Sequence, residues 1–146
     1  MHLKHQSNFT IYPADANNMF PLVFGGAFFS YMDKLAATTV KRALYGSTTC
    51  HAAVTHKFEG TFHKPTYVGD LIFIEGEVVQ LGKKSVVVEV KAFREIASHC
   101  SAVTKHQREL VAEAKFVFVS ISDKAKMDQH PDLLPYDNHG LKMPTE

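Results

Sequence analysis

Asn18–Asp33 reads NMFPLVFGGAFFSYMD, and it contains the start of the one long helix expected in this chain. Pro13, Asp15, Asn17, Asn18 and Pro21 break the backbone ahead of it. From about Gly25 to Tyr45 the pattern turns helical. Ser30, Lys34, Thr38 and Lys41 share one polar stripe, while Phe28, Phe29, Met32, Leu35, Ala36 and Val40 fill the other faces. Lys41 and Arg42 suit the negative end of the helix dipole, and Gly46 suits the position just past it. A helix apolar over more than half its circumference needs other structure around it.

Outward from this helix the chain reads as strand. A short first strand is expected at 8–12. After the helix, 52–62, 71–81, 85–97 and 109–122 are rich in Val, Ile, Phe and Thr. Leu81-Gly82-Lys83-Lys84 suits a hairpin turn, Pro65 and Gly69-Asp70 punctuate an earlier connection, and 98–108 suits a longer loop. The expected division is a lead-in at 1–7, one domain at 8–122 and a loose tail at 123–146. Strand, helix and four further strands predict an α+β fold, with an antiparallel meander packed on or curled around a single helix. Such a sheet keeps an edge and an apolar face to cover, which a homodimer would do.

Composition narrows the function. The 146 residues suit one domain, and 16 Lys and Arg against 15 Asp and Glu give a formal charge of +1. No basic block marks a nucleic-acid surface. No leader pattern and no run of about 18 apolar residues marks a membrane segment, so a soluble cytoplasmic protein is expected. Cys50 and Cys100 stand alone and read as reduced thiols. His51 and His56, five apart on a strand, face opposite sides. His99, Cys100 and His106 lack further ligands at a metal-site spacing, so no metal is expected. There is no P-loop, no dinucleotide fingerprint and no Gly-x-Ser-x-Gly elbow. No cofactor is expected.

The chemistry-bearing residues cluster near the opening stretch. A helix start leaves N–H groups unpaired under partial positive charge, and Gly25-Gly26 lets a carbonyl oxygen approach them closely. The same dipeptide also suits a plain loop-to-helix hinge. Asp33 shares a helical row with Phe29, Ala36 and Val40, where a carboxylate takes a raised pKa or a polar partner such as Lys34, Lys41 or a hydroxyl. Lys34 points about 100° away around the helix. Asp33 lies eight residues past Gly25, about 12 Å along the axis. If both serve one site, the carboxylate must come from a second chain with an antiparallel helix. Asn18 suits either a ligand-facing amide or a turn residue beside Asn17, and Ser85 either a ligand contact or an exposed strand serine.

Asn18, Phe24-Gly25-Gly26, Met32-Asp33, Lys64-Pro65, Val68-Gly69-Asp70, Gly82-Lys83-Lys84-Ser85 and Leu110–Val119 follow one another in an order that resembles the hotdog-fold acyl-CoA thioesterases of the short-chain hydrolase group. The resemblance covers about residues 8–122. It implies a hotdog fold, a long central helix wrapped by a curved antiparallel sheet. It further implies an obligate homodimer with two sites at its interface, with a tetramer or hexamer as larger assemblies. On that basis Gly25 and Gly26 would polarise a thioester carbonyl, the partner's copy of Asp33 would act on it as general base or nucleophile, and Asn18 would assist. Coenzyme A would lie near the Gly82–Ser85 turn, with Lys83 or Lys84 meeting its phosphates and Ser85 beside them. Phe24 and Phe28 would line the acyl path. Pro21 departs from the glycine that the family often has three residues after the asparagine, and Met19-Phe20-Pro21-Leu22 is bulky, so the pocket should differ in shape. The expected activity is acyl-CoA hydrolysis. The alternatives are a non-catalytic acyl-CoA-binding or sensing module, or a hydrolase of acyl carrier protein thioesters. A hotdog dehydratase is disfavoured, because no His lies between Asn18 and Asp33.

Overall fold

The computed structural model describes residues 3–17, 19–43, 53–82, 85–96 and 107–120. Strand β1 (Lys4–Thr10) leads through a short 3₁₀ turn at Pro13–Asp15 to helix α1 (Gly25–Ala43). Strands β2 (Ala53–Phe62), β3 (Leu71–Leu81), β4 (Ser85–Ile96) and β5 (Gln107–Ser120) follow. The five form one antiparallel sheet in the order β1-β3-β4-β5-β2.

The meander expectation holds for β3, β4 and β5 and fails for β2. β1 pairs along the outer edge of β3, so the free edge of β5 is the one left for β2. The first strand also begins four residues before the expected Asn8, inside the segment read as a lead-in. Positions 44–52, 97–106 and 121–146 lie outside the described residues. With them lie the expectations for Tyr45, Gly46, Cys50, His51, the 98–108 loop up to residue 106, and the tail.

Alternation explains how the sheet takes the helix. Ile72, Ile74 and Val78 on β3, Val86, Val88, Val90 and Ala92 on β4, and Ala112, Ala114, Phe116 and Phe118 on β5 are all buried beneath α1. The helix answers with Phe28, Met32, Leu35, Ala36, Val40 and Ala43. Each large side chain buried in this way contributes about 1.5–3 kcal/mol. The outer sheet face carries a ladder of charges, with Glu75 opposite Lys91, Lys91 opposite Glu113 and Glu89 opposite Lys115. One glycine sets how closely helix and sheet approach: a Cβ at Gly76 would lie 2.5 Å from Thr39 Oγ1. The Thr39 hydroxyl is itself buried and donates to the Leu35 carbonyl at 2.8 Å.

The connection before β3 is fixed by its turn chemistry. Gly69 takes φ +91°, a left-handed conformation that favours glycine. Around it the Asp70 carboxylate accepts the Tyr67 N–H at 2.8 Å, and the Asp70 N–H donates to the Tyr67 carbonyl at 3.0 Å. The β3–β4 hairpin closes with the Gly82 N–H on the Ser85 carbonyl at 2.8 Å. Lys83 and Lys84, between them, lie outside the described residues. No helix among the described residues is long and apolar enough to cross a membrane.

Candidate active site

The chain between β1 and α1 is folded back on itself. Asp15 anchors it: its carboxylate accepts the Tyr12 N–H at 3.2 Å and the Tyr31 O–H at 3.3 Å. Its carbonyl accepts the Phe24 N–H at 2.8 Å. The Tyr31 ring stacks on Phe9 at 4.0 Å, and burial, then the Asp15 charge, pushes its hydroxyl pKa up. Further along, the Asn17 N–H donates to the Leu22 carbonyl at 2.7 Å, and Ala16 bridges Val23. Asn17 Oδ1 accepts the Met19 N–H at 2.9 Å, so Asn17 supplies the Asx turn at the loop tip. Asn18 lies outside the described residues.

Among the described residues, no side chain caps the helix that follows. The first closed turn runs from the Phe28 N–H to the Phe24 carbonyl at 3.0 Å, which makes Phe24 the N-cap. Ser, Thr, Asp or Asn would satisfy the next amides from that position, whereas Phe has no acceptor to offer. No acidic residue stands in the first turn either. The amides of Gly25 and Gly26 therefore face outward under the positive end of the helix dipole. A Cβ on Gly26 would meet nothing within 4 Å. The position is open in space, and the bare backbone there is reachable.

Two apolar grooves meet at Gly25. One follows the seam between α1 and β2; it has a volume of about 450 Å³ and is lined by Gly25, Gly26, Phe29, Met32, Phe58 and Phe62 among others. The other, about 340 Å³, lies on the far side of Phe62, between Leu22, Val23, Phe28, Thr66 and Val111. Of the two aromatics expected to meet the substrate, Phe28 lines the second groove, its ring otherwise buried in the core. Phe24 is exposed and lines neither.

Asp33 sits at the other end of the seam. It is half-buried, and its partner is a hydroxyl: Thr55 Oγ1 donates to Asp33 Oδ1 at 3.0 Å. Lys34 turns away, its ammonium 5.9 Å from the Tyr31 ring centre. Thr55 was not a sequence candidate. Phe58, Gly60 and Phe62 face inward, opposite Phe116, Ala114 and Ala112, and plain alternation from them turns Thr55 outward. A bulge between Thr55 and Lys57 adds one residue and restores Thr55 to the inner face, opposite Phe118. Ser85 belongs to this end as well, since it pairs with Val119, which pairs with Val54. The structure thus brings Asp33 and Thr55 together at one end of the seam and places Gly25 and Gly26 at the other; Ser85 is level with the Asp33 end but two strands away, on the sheet face opposite α1.

Behind the second groove a polar network fixes the 63–70 connection. The N–H groups of His63 and Lys64 donate to the Val111 carbonyl at 2.8 and 3.3 Å. Lys64 also pairs with Glu109. The Arg94 guanidinium reaches Glu109 at 2.6 Å, the Pro65 carbonyl at 3.3 Å and Asp70 at 3.6 Å. Hydrogen bonds from Lys64 and then Arg94 hold the Glu109 carboxyl below its ordinary range.

The chain matches the family described as the thioesterase superfamily over residues 20–101. It is 32% identical over 127 residues to the acyl-CoA thioester hydrolase YciA of Escherichia coli, covering 86% of each chain. It is 29% identical to the uncharacterized acyl-CoA thioester hydrolase YkhA of Bacillus subtilis, of which it spans 66%. Among solved structures it resembles an asparagine-to-alanine variant of an acyl-CoA hydrolase from Staphylococcus aureus in complex with coenzyme A. That match has a TM-score of 0.71 and 22% identity, and covers 92% of this chain and 69% of the other. A hexameric hotdog-fold thioesterase of Campylobacter jejuni gives a TM-score of 0.67 at 23% identity, over 90% and 86% of the two chains.

Proposed function

From a chain that belongs to the thioesterase superfamily, we propose an enzyme that hydrolyses acyl-CoA to a free acid and coenzyme A at sites shared between two protomers. The observation that carries this reading is an uncapped helix start facing an apolar groove, with a hydroxyl-bound carboxylate about 12 Å further along the same helix. One chain cannot close that gap. Two antiparallel copies of α1 set side by side can, because each Asp33 then lies beside the other chain's Gly25-Gly26.

The surface needed for this pairing lies along β2. β2 is an edge strand, exposed along nearly its whole length, and Val54, Phe58 and Phe62 are 41%, 57% and 50% exposed. An exposed apolar edge of this kind is a site for pairing with another strand. A homodimer joined through β2 and α1 covers it, and a hexamer built from such dimers is the assembly named for the C. jejuni relative.

In the proposed reaction the Gly25 and Gly26 amides donate hydrogen bonds to the thioester oxygen and stabilise the oxyanion that forms there. Thr55 holds one oxygen of Asp33, leaving the other to take a proton from water as that water attacks the carbonyl carbon. The C–S bond then breaks and the proton passes to the thiolate. Attack by Asp33 itself, through a mixed anhydride, is the competing route. In this proposal Asn18 assists, and coenzyme A lies near the Gly82–Ser85 turn, where Lys83 or Lys84 would meet its phosphates. Alanine variants of the S. aureus hydrolase were solved at an asparagine and at an aspartate 15 positions apart; Asn18 and Asp33 have the same separation. Two lone cysteines fit a reducing, cytoplasmic setting. The test is free-thiol release from a panel of acyl-CoAs by wild type and Asp33→Ala. Loss in the variant is expected, and equal rates would remove Asp33 from the reaction.

A further inference from the structure

We propose that the acyl group occupies the groove beyond Phe62 and that Phe62 sets the acyl length. This inference rests on the thioesterase reading and names the substrate class that the site takes.

The direction of the substrate follows from the two ends of the seam. Asp33, Thr55 and the Gly82–Ser85 turn share one end of each protomer. In the paired arrangement these groups of the second chain arrive at the first chain's helix start from the seam side. The coenzyme and the attacking water therefore enter along the seam groove, the side on which Gly26 lies open. A carbonyl whose oxygen rests on the Gly25 and Gly26 amides then has one direction left for its acyl substituent. That direction leads past Phe62.

What lies there is a preformed apolar pocket. Leu22, Val23, Phe28, Phe62 and Val111 supply its apolar walls, and His63, Lys64 and Thr66 line it beside them. Main-chain bonds hold two of its sides, Val23 N–H to the Thr66 carbonyl at 3.0 Å and His63 N–H to the Val111 carbonyl at 2.8 Å. All these walls belong to one chain. At about 340 Å³ it stands at the small end of ordinary ligand pockets, about 300–1,000 Å³. A short acyl chain suits it. Leu22 belongs to the bulky segment around Pro21, which narrows the pocket from the loop side.

Phe62 is the wall common to both grooves. Its Cε2 lies 3.4 Å from where a Cβ on Gly25 would stand, and its ring meets Phe28 edge-on at 5.7 Å. It is half exposed at the end of an edge strand, so shortening it opens the partition at little cost to the core. Phe58 lines the seam groove alone and serves as the control.

The experiment measures kcat/KM for acetyl-, butyryl-, hexanoyl- and decanoyl-CoA with wild type, Phe62→Ala, Phe62→Leu and Phe58→Ala. The readout is the ratio between chain lengths, which does not depend on how much of a variant is folded or dimeric. Wild type is expected to favour the short esters. Phe62→Ala should raise the decanoyl-to-butyryl ratio about 10-fold or more, in line with what a few methylenes are worth in an apolar pocket. Phe62→Leu should fall between, and Phe58→Ala should keep the wild-type order. An unchanged order in both Phe62 variants overturns the assignment, as does a shift produced by Phe58→Ala instead. A wild type that hydrolyses several esters with no effect at Phe62 removes this inference alone. A wild type that releases thiol from none of them removes the underlying reading too.

Discussion

The two ends of the α1–β2 seam are built from opposite materials. At the Gly25 end there are, among the described residues, donors without acceptors: backbone amides, an N-cap that cannot cap, and open space over Gly26. At the Asp33 end there is an acceptor held by the Thr55 hydroxyl. Each end lacks what the other has, and the rigid rise of the helix keeps them apart. On the proposed reading, the difference teaches that one protomer would carry two half-sites. It also explains why β2 presents aromatic residues to solvent at an edge that proteins usually guard with charge.

Breaking the acceptor end should have the largest effect. Asp33→Ala removes the proposed proton acceptor and is expected to lower kcat by about 10²–10⁴-fold, read by thiol release with the oligomeric state checked in parallel. At the donor end, Gly25→Pro deletes one amide while keeping a residue that the first helical turn accepts. A loss of about 10²–10³ in kcat with unchanged helix content is expected. Wild-type kcat in that variant would move the oxyanion contact elsewhere.

The acceptor end can also be weakened rather than removed. Thr55→Val keeps the shape of the side chain and withdraws the hydrogen bond to Asp33. A fall of about tenfold in kcat at nearly constant KM is the expected split, the size of one hydrogen bond to a charged group. A change confined to KM would make Thr55 a binding residue instead.

The smallest effect concerns the network behind the donor end. Glu109 is held below its ordinary pKa by Lys64 and Arg94, so its contribution to stability is present above the unfolded value, about 4.3. It is lost as pH falls through the lower folded value. Glu109→Gln should therefore melt earlier than wild type at pH 7, and the gap should close as pH drops below about 4. A gap independent of pH would mean that packing, not charge, is what Glu109 supplies.

Much of this was legible in the sequence. Leu71–Leu81 begins and ends where its β-branched run predicts, and the helix starts at Gly25 as expected. The separation of Gly25 from Asp33 needed only the rise per residue. What escaped did so for physical reasons. Lys4-His5-Gln6-Ser7 shows no apolar alternation, because β1 is an edge strand with its side chains largely at the surface. The pairing of β2 with β5 rather than β3 depends on which edge β1 has already taken, and no local pattern records that. Thr55 was invisible because its facing is reversed by a single bulged residue. Phe62 read as one more strand aromatic, and its place between two grooves depends on the 63–66 connection folding under the Val111 carbonyl.

Subunit complementation tests the shared site most directly. Gly25→Pro and Asp33→Ala chains are each prepared as inactive proteins, mixed, dissociated and reassociated, and assayed for thiol release. A mixed dimer concentrates both lesions in one site and leaves the other intact. Random pairing should then restore about one quarter of wild-type activity, following from the two-fold symmetry of the pair. If the mixture stays as inactive as its parents while mixed dimers demonstrably form, the two half-sites do not meet across the interface and the account is wrong.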